Sequence, residues 1–161
     1  MAEIAKIRPH LWFARGAREA AEFYVSIFPD SRIDATMTIP AETPSGPVGT
    51  VEQVEFTLAG QQFIALAAGE LDPFNHAISF LVRCEDQAEV DRYWEALLDG
   101  GEAERCGWLR DRHGVSWQIV PRQLDELMAD PDREKAARVV SAMLGMVKLD
   151  IAGLERAAAG G

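Results

Sequence analysis

The chain has 161 residues, of which 16 are Lys or Arg and 26 are Asp or Glu, so its formal net charge is −10. This length suits one domain with a substantial core, and the composition (48% hydrophobic and 26% charged residues) is typical of a globular protein. The acidic balance argues against nucleic acid and anionic membranes as partners, because both require clustered Lys and Arg. A small-molecule function survives these exclusions.

The two cysteines, Cys84 and Cys106, form no C-x-x-C pair, and such sparse usage is typical of a reducing compartment. Residues 1–8 lack the apolar core of a signal peptide. No apolar run approaches the roughly 20 residues that a membrane-spanning helix needs. We therefore expect a cytoplasmic protein without a membrane segment.

The first half of the chain predicts one helix between strands. Residues 7–13 alternate as a strand does, with Arg8, His10 and Trp12 on one face. Residues 17–28 follow with apolar side chains at helical spacing, and Pro29 ends this helix. Strands are then predicted over residues 31–40, 50–59 and 62–68.

The second half repeats this order. A strand is predicted over residues 76–84 and a helix over 85–99, which Gly100 ends. Strands follow over 103–105, 108–111 and 115–121. The apolar stripes of the two helices superpose at an offset of 70 residues, as in the pair Tyr24 and Trp94. The sequence therefore predicts one domain over residues 4–122, built from two similar modules at about 4–69 and 74–122.

A helical extension is predicted over residues 123–158. Its helices cover residues 123–129, a segment that begins at Asp130 and Pro131, and residues 150–158. Val139, Met143 and their neighbours give the middle helix an apolar face. This face requires a partner, which is either the domain itself or a second subunit.

Several stretches of the sequence carry a family resemblance. They are P-H-L-W-F over residues 9–13, E-A-A-E-F-Y over 19–24, F-N-H-A-I-S-F over 74–80, C-G-W-L-R-D over 106–111 and H-G-V-S-W-Q-I-V-P over 113–121. With the duplicated layout, they resemble the PhnB-like group of the vicinal oxygen chelate superfamily, which includes glyoxalase I, extradiol dioxygenases and bleomycin-resistance proteins. Many members of that group bear the name 3-demethylubiquinone-9 3-methyltransferase. The resemblance implies an α+β fold in which two βαβββ modules form a curved mixed-sheet cup, followed here by C-terminal helices.

The resemblance also implies where a metal would be held. Metal-dependent relatives place one ligand on the first and last strand of each module, which makes His10, His76 and Gln118 the candidates. The last strand of the first module offers no carboxylate. Divalent ions at such sites are usually held by His together with at least one Asp or Glu. We therefore expect a cup without a metal, with a His10, His76 and Gln118 site as the alternative.

The residues expected to line a ligand pocket combine aromatic and polar side chains. Ser116 and Gln118 share one face of the last strand, opposite Trp117, and are expected to face the cup. Gln53 lies on a polar strand face that faces either the cup or solvent. For the aromatic candidates, stacking on a ligand and packing in the core are both consistent with the sequence. The candidates are His10, Trp12, Gln53, Phe74, Trp108, Ser116 and Gln118.

The family name is not supported by a cofactor motif. A methyltransferase that uses S-adenosylmethionine normally shows a Gly-rich turn between a strand and a helix, and no G-x-G-x-x-G occurs here. We expect a protein that binds an unknown small molecule in the cup. A metal-dependent lyase, isomerase or dioxygenase-type enzyme and an antibiotic-sequestering protein are the alternatives. Exposed sheet edges and the apolar extension further predict a homodimer.

Overall fold

The computed structural model describes residues 3–161, and the chain forms two compact units, one ending at Asp72 and the other spanning Pro73–Gly161. The elements of the first unit are β1 (His10–Phe13), α1 (Ala17–Ile27), β2 (Arg32–Thr38), β3 (Glu52–Leu58) and β4 (Gln61–Ala67). They form a four-stranded sheet in the order β1-β4-β3-β2. β1 runs parallel to β4, and the other pairs are antiparallel.

The core of the first unit lies between this sheet and α1. Alternate strand residues, among them Leu11, Phe56 and Phe63, are buried on the α1 side. Tyr24 of α1 is fully buried and stacks on Phe56, with ring centroids 6.3 Å apart. Burying each such side chain contributes about 1.5–3 kcal/mol. Because α1 covers one face only, the intervening residues form a second face that no helix within residues 3–72 covers.

The second unit repeats the arrangement and adds the extension. Its elements are β5 (Phe80–Cys84), α2 (Gln87–Leu98), β6 (Glu102–Ala103), β7 (Trp108–Arg110), β8 (Ser116–Pro121), α3 (Arg122–Met128), α4 (Arg133–Leu144) and α5 (Ile151–Ala159). The sheet order is β5-β8-β7-β6, again with the first and last strands parallel. The predicted α+β fold with two βαβββ modules is confirmed.

The offset between the modules is not the same in helices and strands. Three residues connect β1 to α1, but only two, Glu85 and Asp86, connect β5 to α2. Helix positions therefore correspond at 70 residues and positions of the first strand of each module at 71. Since successive strand residues face opposite sides of a sheet, this shift decides which residues match. His10 corresponds to Leu81, which is exposed, whereas Phe80 packs against Trp117 with ring centroids 5.4 Å apart.

The first strand of each module begins three or four residues later than expected. The strand predicted over residues 76–84 starts only at Phe80, and His76 lies in a turn that the Asn75 carboxamide closes by accepting the Ala77 N–H at 2.8 Å. The prediction that His76 lies on a strand is therefore wrong. The first strand begins at His10 because Pro9 has no N–H to donate to the sheet.

The C-terminal helices pack on the second module. One buried cluster joins the end of β8 to α3, α4 and α5 and consists of Val120, Leu124, Val139, Leu149, Leu154 and Ala158. Asp132 caps α4, so Pro131 precedes the helix instead of lying in its first turn. Within residues 3–161, no helix combines the length and the apolar character needed to cross a bilayer.

Candidate functional site

The first candidate surface is the face of the first sheet opposite α1, called here the first open face. Strand register places His10 beside Ile64 and Ile64 beside Glu55. Two residues away on each of these strands, Trp12, Leu66 and Gln53 form a second row, because Leu66 pairs with both Trp12 and Gln53. His10 is exposed and the other five side chains are half-buried. This face therefore has an apolar central strand, β4, with polar and aromatic groups on either side.

The carboxylate of Glu55 is held in place on this face. Arg8 Nη1 donates to Glu55 Oε2 at 3.0 Å, and Gln53 Nε2 donates to Oε1 at 3.4 Å. The side chains of Arg8 and Glu55 are only 20% and 25% exposed. The alternation of β3 predicts the shared face of Gln53 and Glu55. The contact with Arg8, 47 residues away, requires the sheet register and was not predicted.

Trp12 is oriented by a hydrogen bond at the end of the module. Its Nε1 donates to the Gly69 carbonyl at 2.9 Å, which fixes the plane of the indole. The neighbouring strand residues Leu11 and Phe13 are buried on the α1 side. The structure thus places Trp12 and His10 together on the open face, as the alternation of the sequence predicts.

The second open face lies opposite α2 on the second sheet. Strand register aligns Trp108, Gln118 and Leu81 across β7, β8 and β5. Leu81 is 56% exposed, and Trp108 and Gln118 are half-buried. Gln118 Nε2 donates to Ser79 Oγ at 2.9 Å, which directs the amide and leaves its oxygen as an acceptor. This face combines apolar surface with one oriented amide.

Ser116 shares the face of Gln118 but is not accessible. Its side chain is 2% exposed, and its hydroxyl has no hydrogen-bond partner among the described residues. Val120, on the same face, is covered by the C-terminal cluster. Of the three β8 residues on this face, Gln118 is therefore the one that a ligand can contact.

Phe74 and His76 reach the second module from the loop that precedes β5. His76 Nδ1 lies 3.1 Å from Glu104 Oε2, and its ring meets Trp108 edge-on at 6.0 Å between centroids. Phe74 is half-buried, and its ring lies 3.8 Å from the position that a Cβ on Gly114 would occupy. His76 is thus near the second open face, and Phe74 lies beside the turn between β7 and β8; neither residue belongs to the sheet.

The turn between β7 and β8 is structural. Asp111, 3% exposed, accepts the backbone N–H groups of His113 and Val115 at 2.8 and 3.1 Å. It also accepts the indole N–H of Trp117 at 2.8 Å. One buried carboxylate therefore closes the turn and fixes Trp117 on the α2 side.

The turn before Trp108 is attached to the extension. Cys106 and Gly107 have the left-handed φ values of 59° and 80°. Their N–H groups donate to the carbonyls of Met146 and Val147 at 2.9 and 2.8 Å. The extension therefore holds the backbone immediately before Trp108.

Neither module assembles a set of metal ligands. The neighbours His10 and Ile64 of the first module correspond to the neighbours Leu81 and Gln118 of the second. Each module thus has one possible metal ligand and one apolar residue at these positions. His76 lies in a turn beside Glu104. Residues 3–161 contain no group of three His, Cys, Asp or Glu side chains that could hold a metal ion. The donors present do not fit a divalent cation, which needs carboxylate or several imidazole ligands.

Cys84 is not a candidate nucleophile. Burial raises the pKa of its thiol to about 12, so the thiol is protonated at neutral pH. The nucleophilic form of cysteine is the thiolate. Cys84 thus behaves as a small core residue.

Comparison with known families identifies one match. Residues 5–120 match the family model described as 3-demethylubiquinone-9 3-methyltransferase. This region contains both modules up to the penultimate residue of β8 and none of the C-terminal helices. A comparison with curated protein sequences finds no match.

Solved structures with similar folds come from several bacteria. The PhnB protein of Bacillus cereus, described as a 3-demethylubiquinone-9 3-methyltransferase, is 33% identical over 73% of this chain and 99% of its own, with a TM-score of 0.64. Protein PA1353 of Pseudomonas aeruginosa is 19% identical over 73% of this chain and 98% of its own, with a TM-score of 0.56. The fosfomycin resistance protein FosX of Mesorhizobium loti is 13% identical over 74% and 91%, with a TM-score of 0.51. The last two likenesses concern the fold alone.

Proposed function

Because the chain belongs to the 3-demethylubiquinone-9 3-methyltransferase family, a PhnB-like group of the vicinal oxygen chelate superfamily, we propose that it binds a small molecule on the open faces of its sheets. The observation that carries this proposal is the make-up of the first open face. The half-buried Ile64 and Leu66 lie between oriented polar and aromatic groups. Small-molecule sites are mostly apolar, with a few well-placed polar groups.

The proposed contact residues are those predicted from the sequence, with one addition and one change. His10, Trp12, Gln53, Trp108 and Gln118 lie on the open faces, and Phe74 approaches from the loop. Glu55 joins them through its contact with Gln53. Ser116 is too deeply buried to contribute directly.

We do not extend the methyltransferase activity in the family name to this chain. Each sheet has a single parallel strand pair, unlike the parallel sheet of nucleotide-binding folds. The connection from β1 to α1 contains one glycine, Gly16, and the carboxylate of Glu19 lies 2.8 Å from the position of a Cβ there. A carboxylate at this helix N-terminus disfavours the anionic groups that such turns bind.

Metal-dependent lyase, isomerase or dioxygenase chemistry is not supported by the donor set. The FosX protein of Listeria monocytogenes has been solved with Mn(II) and sulfate. In this chain each module offers only one donor at the strand positions concerned, His10 or Gln118. We therefore propose binding without a resident metal and assign no reaction step to one.

We also propose a cytoplasmic homodimer. Support for the dimer comes from β2, an edge strand whose side chains are almost all exposed, including Met37 at 47%. Unpaired strand edges favour association with a second chain. The cytoplasmic proposal rests on two cysteines that are both free. Light scattering that gives the mass of a monomer at micromolar concentration would contradict the dimer.

A library experiment tests the binding proposal. Thermal-shift screening of small metabolites on the wild-type chain should identify compounds that raise its melting temperature. A compound that binds the first open face should lose this effect in Trp12→Ala, and one that binds the second open face should lose it in Leu81→Lys. The control Val48→Lys alters an exposed loop residue and should keep it. If no compound stabilises the chain, or if both open-face variants respond like the wild type, the proposal is wrong.

A further inference from the structure

We propose that Glu55 determines which ligands the first open face accepts, and this inference rests on the proposed binding function. The ligand class is a small planar apolar molecule that carries a hydrogen-bond donor, either a hydroxyl or an amine. Anions are excluded. Glu55 acts as a specificity-determining residue.

The dimensions of the face suit a single ring. His10 lies on β1 and Glu55 on β3, with Ile64 of β4 between them in register. Neighbouring strands are about 4.8 Å apart, so the backbones of His10 and Glu55 are separated by roughly 10 Å. A planar ring resting on Ile64 and Leu66 can therefore bring a substituent to the Glu55 carboxylate.

The carboxylate requires a donor from the ligand. An ionised carboxylate only accepts hydrogen bonds and has about four lone-pair positions. Arg8 and Gln53 each supply one donor. A ligand that covered Glu55 without donating would remove water from the remaining positions and leave them unsatisfied. A hydroxyl or amine replaces that water.

The charges around this face explain the exclusion of anions. Arg8 pairs with Glu55, and Arg32 pairs with Asp34 at 2.7 Å, so these charges cancel locally. These two pairs leave no excess positive charge that would attract an anion, and the net charge of the whole chain is −10. Because the Glu55 charge is already balanced, a neutral hydroxyl is accepted as well as an ammonium group.

Three probes of matched size test this inference by NMR. The ¹⁵N-labelled chain is titrated with benzyl alcohol, benzylamine and benzoate, while the indole N–H of Trp12 is followed. Assignment of that signal uses Trp12→Phe. Benzyl alcohol and benzylamine should shift the signal, whereas benzoate should not. This difference between the two donor-bearing probes and benzoate tests the inference on the wild-type chain.

A variant and a control test whether Glu55 is responsible for this difference between the probes. Glu55→Gln should weaken benzylamine binding roughly tenfold, because a charge-assisted hydrogen bond becomes a neutral one. Glu52→Gln makes the same change on the same strand but on the side of Arg18 and α1, and should leave the titrations unchanged.

Three outcomes would overturn the inference. They are benzoate binding as well as the other two probes, Glu55→Gln leaving every titration unchanged, and none of the probes affecting Trp12. In each case, metabolites that stabilise the chain in the library experiment would still support the broader binding function. Failure of both experiments would reject the two proposals together.

Discussion

The side chain of Gln87 bonds the peptide groups on both sides of Asp150. Gln87 Nε2 donates to the Leu149 carbonyl at 3.1 Å, and Gln87 Oε1 accepts the N–H of Ile151 at 2.9 Å. Gln87 and Asp91 both belong to α2, and Lys148 Nζ lies 2.7 Å from Asp91 Oδ1. The first turn of α2 therefore fixes the segment that leads into α5.

Replacing this amide should destabilise the second module. Gln87→Ala leaves two partly buried backbone groups without their partners, and we expect the free energy of unfolding to fall by about 2 kcal/mol. Urea denaturation measures the change. Gln61→Ala is the matched control because Gln61 is exposed and its side chain donates to the carbonyl of the adjacent Gln62. Equal urea midpoints for the two variants would contradict a clamping role for Gln87.

Gly107 should tolerate no side chain. A Cβ at this position would lie 2.8 Å from the Ile119 carbonyl and 3.0 Å from the Leu149 side chain, at a φ of +80°. Gly107→Ala should therefore lower stability by about 2 kcal/mol or more and change the fluorescence of Trp108. Gly49→Ala shares the positive φ but has open space around the added carbon, and should cost about 1 kcal/mol. Similar losses in both variants would show that the close approach is unimportant.

Asp111 should be essential for stability although it is not placed in the site. Asp111→Ala removes the acceptor of three N–H groups in a buried turn, and we expect a loss of about 3 kcal/mol in urea denaturation. Asp99→Ala removes a 75% exposed partner of Arg112 and should change stability by less than about 1 kcal/mol. A small effect of Asp111→Ala would contradict this structural role.

Metal removal should leave the protein unchanged. The chain purified without chelator should contain no stoichiometric divalent metal by elemental analysis, and EDTA should not lower its melting temperature. Stoichiometric Mn, Fe, Ni or Zn that disappears in His10→Ala would refute this, since it would show that His10 is a ligand.

Cys84 should react with thiol reagents only after unfolding. Burial raises its pKa to about 12, so very little thiolate exists in the folded chain at pH 8. In Cys106→Ser, Ellman's reagent should detect no thiol in the native chain and one in urea. The stabilisation from this burial is present below the pKa of the unfolded thiol and is lost as the pH rises toward 12. Rapid native reaction would mean that Cys84 is accessible.

Periodicity in the sequence predicts the modules, their helices and the alternation of Arg8, His10 and Trp12. Helix stripes cannot reveal the one-residue difference between the two strand–helix connections. The 70-residue offset of the helices would place Phe80 opposite His10, whereas the strands place Leu81 there. Local β-propensity likewise cannot show that Asn75 closes a turn at His76.

The parts of the site that escaped prediction depend on contacts between distant residues. The pairing of Arg8 with Glu55 requires three strands in register. Ser116 lies on the face of β8 that the alternation of the sequence predicts, but its burial depends on the residues that pack over it. Sequence alone therefore indicates which residues share a face, and packing decides which of them a ligand can reach.

The C-terminal helices make the family boundary at residue 120 a poor place to cut this chain. A chain shortened there would uncover the apolar end of β8 and release the peptide groups of Cys106 and Gly107 from their carbonyl partners. The backbone before Trp108 would lose its support, and the second open face would change shape. The Bacillus cereus relative, matched over 99% of its length by 73% of this chain, is therefore an unsuitable template for a minimal version of this protein.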